Sequence, residues 1–119
     1  MLFGKKKKKE ESKVPIIDAE KFDEFIMSSE NAVIDCYNDH CVPCRRIHPM
    51  IEELSEKYPQ IAFGKLNTDY SVEVAVRYGV MSVPTILMFK KGKLIYSMRE
   101  VKSIEHLENE ILEKMEVKA

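Results

Sequence analysis

Apolar positions along the chain change their period from segment to segment. Residues 32–37 (AVIDCY) form a short, dense apolar run, suited to a strand buried on both faces. Over residues 42–58, Ile47, Met50, Ile51, Leu54 and Tyr58 recur at steps of three and four, the stripe of a helix packed on a core. Pro49 lies inside that stripe and predicts a kink. Ile61–Asn67 reads as the next strand, and Thr85–Lys90 with Lys93–Met98 as a hairpin turning at Lys91 and Gly92. Residues 14–17 contain Pro15 and suit an edge strand. Asp18 is placed to cap a helix that turns Phe22, Phe25 and Ile26 inward. Val72, Ala75, Val76 and Tyr78 mark a short helix closed by Gly79, and Ser103 caps a last helix carrying Ile104, Leu107, Ile111, Leu112 and Met115 on one face. The order β-α-β-α-β-α-β-β-α predicts an α/β fold. In it, parallel βαβ units end in an antiparallel hairpin, and helices cover both faces of a central sheet.

A chain of 119 residues is the size of one domain, and 45% hydrophobic with 33% charged residues is a globular balance. No apolar run approaches the roughly 20 residues of a membrane span, and no apolar signal segment follows the lysines at 5–9. Charge is uneven. Residues 1–13 hold six Lys and two Glu, whereas the rest is mildly acidic, which argues against a nucleic-acid-binding core. Residues 1–13 therefore read as a solvated basic tail, and residues 14–119 as the folded domain. The alternative for the tail is contact with an anionic membrane through Leu2, Phe3 and the lysines; one short basic run without a lipidation motif gives it little support. Three cysteines cannot all pair within one chain. With no export signal, a reducing, cytoplasmic setting is expected, where closely spaced cysteines mean metal or catalysis. Nothing suggests an oligomer, so a monomer is expected.

Cys41-Val42-Pro43-Cys44 falls between the buried strand and the long helix. A thiol at a helix N-terminus faces unpaired N–H groups and the positive end of the dipole, and both stabilise a thiolate. The spacing puts the second sulfur one turn away, within pairing distance. Pro43 fits the first turn, where its missing N–H is not needed. Cys41 is then the exposed nucleophile and Cys44 the buried resolving thiol. Zinc is the rival chemistry, with Cys36, Cys41, Cys44 and His48 as the conceivable ligands; no second C-x2-C or His pair accompanies them. Cys36 otherwise reads as a small core residue, and His48 as an ordinary helix-face residue.

AVIDCYNDHCVPCRRIHPMIEEL, KLNTD, RYGVMSVPTILMFKKG and the closing amphipathic helix together resemble the thioredoxin family over about residues 14–115. The resemblance implies the thioredoxin fold and protein-disulfide reduction. Cys41 then attacks a target disulfide, and Cys44 resolves the mixed disulfide. It makes Asp35 the buried acid that handles the proton of the resolving thiol, a role that burial of a carboxyl among apolar residues suits, and Lys65 the neighbour of that acid. Pro84 is implied as a cis-proline facing the disulfide. With Val83 and the rim residues His40, Val42 and Pro43, it touches the substrate. The cofactor is the dithiol itself, with no metal implied. A thioredoxin reductase-type donor and proteins with accessible disulfides are the implied partners.

Departures from the family pattern concentrate on the rim. His40 and Val42 stand where Trp and Gly are usual, Tyr37 replaces a second Trp, and Cys36 replaces an aromatic. A cationic His40 beside Cys41 would make the pair more oxidising; otherwise it is an exposed polar rim residue. Two further readings therefore stay open: a more oxidising thiol oxidase or isomerase of the same fold, and a non-enzymatic binding subunit.

Overall fold

The computed structural model describes residues 13–119. Among these, four strands form one sheet in the order β2-β1-β3-β4, with β1 at Asn31–Tyr37, β2 at Ile61–Asn67, β3 at Thr85–Lys90 and β4 at Lys93–Met98. The helices are α1 Phe22–Ile26, α2 Val42–Lys57, α3 Val72–Arg77 and α4 Ile104–Met115.

β1 has a partner along both edges. It runs parallel to β2, from Asn31 beside Ile61 to Tyr37 beside Asn67, and antiparallel to β3, from Asn31 beside Lys90 to Cys36 beside Thr85. Ladders on both edges pair its backbone over Asn31–Cys36, so the strand can be apolar on both faces. Its side chains alternate between two cores. Val33 joins Ile47, Ile51 and Leu54 of α2 and Leu107, Ile111 and Met115 of α4. Ala32, Ile34 and Cys36 join Phe22 and Ile26 of α1 and Val74 of α3. α2 and α4 therefore cover one face, and α1 and α3 the other. At the far end of α2, Lys57 reaches Glu108 of α4 at 2.7 Å, and the Tyr58 hydroxyl donates to the same carboxylate.

Local signals in the sequence act as expected at most element ends. Asp18 accepts from the N–H of Lys21, but it caps a 3-10 turn over Ala19–Lys21 that leads into α1. Ser103 accepts from the N–H of His106 at the start of α4. Lys91 and Gly92 both have positive φ, 52° and 80°, the paired left-handed conformations of a tight two-residue hairpin. α2 runs through Pro49 without interruption.

Three expectations need correction. Residues 14–17 make only an isolated bridge between Ile16 and Lys65, with two backbone hydrogen bonds to Lys65, so the sheet gains no fifth strand there. Pro15 lacks an N–H and can only accept, which keeps this ladder short. β3 is not a further parallel strand. β2 ends at Asn67 beside Tyr37, and β3 starts at Thr85 beside Cys36, at the same end of the sheet. The six residues of α3 span about 9 Å and cannot carry the chain back along a seven-residue strand of about 23 Å, so β3 runs antiparallel to β1. In α3, Val74 and Ala75 are buried, whereas Val72 and Val76 point outward. The tail expected over residues 1–13 lies outside the described residues except for Lys13, whose N–H donates to Glu52 at 3.2 Å.

Gly64 in β2 allows α1 to pack closely on the sheet. A Cβ there would lie 2.9 Å from Phe25 Cε2 and 3.1 Å from Ile17 Cγ1. Gly64→Ala is therefore expected to lower the unfolding free energy by about 1–2 kcal/mol through overpacking. Phe25→Ala should remove most of that increment when the two are combined. Urea unfolding of the wild type, both single variants and the double variant measures the coupling; independent, additive losses would rule this packing account out.

Candidate active site

The site lies where β1 ends and α2 begins. Asn38 Oδ1 accepts from the N–H of His40 at 2.9 Å and shapes the turn between them. Cys41 is the N-cap residue of α2 and Pro43 lies in its first turn. Cys41 and Cys44 are disulfide-bonded, and the N–H of Cys44 donates to Cys41 Sγ at 3.2 Å. One of the helix's unpaired N–H groups thus points at the sulfur that would carry charge once the bond is reduced, a contact that favours the thiolate. Both sulfurs pack with Tyr37 and Val83. The expected contrast in exposure is smaller than anticipated. Cys41 is itself largely covered, at 7%, against 1% for Cys44, because Tyr37 and Val83 close over the pair.

The peptide between Val83 and Pro84 is cis. Val83 also lines an open groove with Asn38, Thr68 and Met81. Val42 is 67% exposed, and Met81 and His40 are also exposed, so the disulfide has apolar rim residues with an imidazole beside them.

Beneath the helix, Asp35 is fully buried. It lies on the β1 face between Val33, which packs on α2, and Tyr37, which packs on the two cysteines. Its Oδ2 is 2.8 Å from Nδ1 of His48, and Oδ1 has no hydrogen-bond partner in the protein. His48 is one helical turn beyond Cys44, partly exposed, and its ring meets Tyr37 edge-on with centroids 4.9 Å apart. This correction matters most. His48 is no ordinary helix-face residue but the partner of the buried acid. Its spacing of four from Cys44 was the available signal; which strand residue it would meet depended on how α2 crosses β1. Lys65 lies directly across from Asp35 in the β1–β2 register, and its ammonium is 3.1 Å from Glu52, one further turn along α2. Cys44, His48 and Glu52 therefore form one row on α2 above Asp35 and Lys65. Burial, with help from Asp39 and Asp35, holds the Tyr37 phenol above its ordinary pKa against a hydrogen bond with Asn67.

The rival metal set does not assemble. Cys36 faces the opposite core with Leu66 and Leu87, His48 is engaged by Asp35, and no group of three or more ligand residues that could hold a metal exists among the described residues.

A helix-capping cysteine joined to a second one turn away, with a buried carboxyl beneath the helix, defines a dithiol–disulfide oxidoreductase site. The thioredoxin family model matches residues 13–113. A thioredoxin of Chlamydia pneumoniae is 37% identical over 96 residues, covering 81% of this chain and 93% of that protein. Thioredoxin-1 of Saccharomyces cerevisiae is 45% identical over 75 residues, covering 63% of this chain and 73% of that protein. Among solved structures, oxidised mitochondrial thioredoxin 3 of Saccharomyces cerevisiae superposes with a TM-score of 0.75 at 28% identity, covering 84% of this chain and 93% of that one. The chain belongs to the thioredoxin family, and its Cys41–Cys44 pair makes it a thiol-disulfide oxidoreductase of that type.

Cys36 lends itself to a separate measurement. Desolvation, with a smaller contribution from Asp35, pushes its thiol far above the ordinary range. A thiol held neutral by folding contributes stability that is complete below its unfolded pKa and is lost as pH rises above it. With the disulfide intact, the wild type should lose about 1–2 kcal/mol more stability between pH 8 and pH 10 than Cys36→Ala. Urea unfolding of the two proteins at both pH values checks this, and parallel losses would show that the Cys36 thiol does not contribute.

Proposed function

We propose that this protein carries reducing equivalents from a thioredoxin reductase-type donor to protein disulfides in the cytoplasm, with Cys41 as nucleophile and Cys44 as resolving thiol. The observation that supports this reading is the capped disulfide itself: Cys41 Sγ receives the Cys44 N–H at the start of α2, above the buried Asp35. The helix terminus favours the Cys41 thiolate, which attacks one sulfur of the target disulfide and displaces the other as a thiolate. Cys44 then gives up its proton, with Asp35 as the acceptor, and attacks Cys41 Sγ. The target's second sulfur leaves as a thiolate, and the target is reduced by two electrons as the Cys41–Cys44 bond forms. The donor returns two electrons to that bond to restart the cycle. Val42, Pro43 and His40 on the helix side, and Val83 and Pro84 on the other, are the surfaces a target segment would touch. Lys65, paired with Glu52 across the strand from Asp35, sets the field around the acid.

Cys41→Ser should lose insulin-disulfide reduction with dithiothreitol as donor, since the remaining thiols of Cys44 and Cys36 are both buried; retained turnover would overturn the assignment. The direction of electron flow is read from the reduction potential. A value near about -270 mV is expected for a reductant, and one of about -120 to -180 mV would instead mark a thiol oxidase or isomerase.

A further inference from the structure

We propose that His48 is a positioning residue for the proton step of disulfide exchange, its Nδ1–H holding Oδ2 of Asp35 so that Oδ1 is the oxygen that takes the proton of Cys44. The proposal rests on the exchange chemistry above and names a group that the chemistry has not yet used. The geometry assigns the two oxygens different tasks. Oδ2 is 2.8 Å from the ring nitrogen, and Oδ1 has no partner in the protein. Asp35 lies on β1 between Val33, which shares a core with Ile47 and Ile51 of α2, and Tyr37, which shares a cluster with Cys44, so the unpartnered oxygen belongs to a residue on the α2 side of the strand.

In the mixed disulfide, the S–H bond of Cys44 breaks and its proton passes to Oδ1. The sulfur electron pair forms the bond to Cys41 Sγ, the bond from Cys41 to the target sulfur breaks, and the target thiolate takes a proton from water. Asp35 must be a carboxylate to begin this step. A buried carboxylate is disfavoured unless it receives a hydrogen bond, and His48 supplies one. The ring itself is held by its edge-on contact with Tyr37.

The other groups around the pair are accounted for. From α2 come Cys44 and Glu52, from β2 comes Lys65, and from β1 comes Tyr37; β3 places the apolar Ile86 beside Asp35. Lys65 and Glu52 pair with each other, so the single Asp35–His48 contact can be changed without removing a charge from that neighbouring bridge.

The test uses the reduced protein and excess 5,5′-dithiobis(2-nitrobenzoate) in a stopped-flow experiment between pH 5.5 and 9. The first chromophore released reports attack by Cys41, and the second, at a rate independent of reagent concentration, reports resolution by Cys44. In His48→Ala the pH at half-maximal rate of the second phase should rise by about one unit, while the first phase keeps its profile. In the same variant the Asp35 carboxyl carbon resonance, followed by NMR, should move at a single fixed pH because its hydrogen-bond donor is gone. His48→Asn, which can donate from nearly the same place, should restore most of both. His48→Phe fills the site without a donor and replaces the alanine variant if that one does not fold. A second-phase profile that superimposes on the wild type, or a uniform slowing with the Asp35 carboxyl resonance unmoved, would overturn the proposal. A wild type that forms no mixed disulfide at all would instead overturn the exchange reading beneath it.

Discussion

Asp35 and His48 meet 2.8 Å apart where β1 passes beneath α2, and much of the architecture serves to make that contact possible. A carboxyl with no solvent contact is unfavourable in an apolar interior unless its oxygens find donors. β1 can accommodate one because at Asp35 both of its backbone edges are paired, with Lys65 of β2 on one side and Ile86 of β3 on the other. α2 supplies the donor from a face that is otherwise core. Ile47 and Ile51 pack downward on Val33, and the neighbouring row of Cys44, His48 and Glu52 meets the polar groups Asp35 and Lys65. Each polar residue of that row has a partner within reach, so the helix lies flat over a partly polar strand pair.

The disulfide adds little to the fold. A bridge closing a four-residue loop removes only about 2 kcal/mol of unfolded-state entropy, so the two cores must hold the helix in place whether the pair is oxidised or reduced. That independence suits a site whose covalent bond opens and closes in every cycle. It also explains why the contacts around the sulfurs come from separately anchored elements: Tyr37 from the buried strand, Val83 from the segment before β3, and the Cys44 N–H from α2 itself.

The departures from the usual family pattern fall into two physical groups. His40 and Val42 change the exposed rim while leaving the helix cap and the carboxyl beneath it intact. Tyr37 and Cys36 change the interior. The phenol replaces an indole against the sulfurs, and the imidazole that packs edge-on against it also bonds the buried acid. The exterior changes alter the surface beside the disulfide, and the interior changes alter what packs on the sulfurs and in the opposite core.

Elements whose signals are local were legible in the sequence. Ser103 as a cap, the positive φ pair at Lys91 and Gly92, the apolar run of β1 and the CxxC at the start of α2 each depend on neighbours within a few residues, and each is found where the pattern put it. What required tertiary structure was anything fixed by two distant segments. Residues 14–17 look like a strand, but their pairing stops at one bridge because Pro15 has no N–H to offer. β3 reads as one more strand in a parallel series, but the end of the sheet at which it begins makes it antiparallel to β1. His48 reads as an ordinary helix-face residue. It becomes the partner of Asp35 because the crossing of α2 over β1 brings together two residues thirteen apart in the chain, and a periodicity within one helix carries no information about the strand that will lie beneath it.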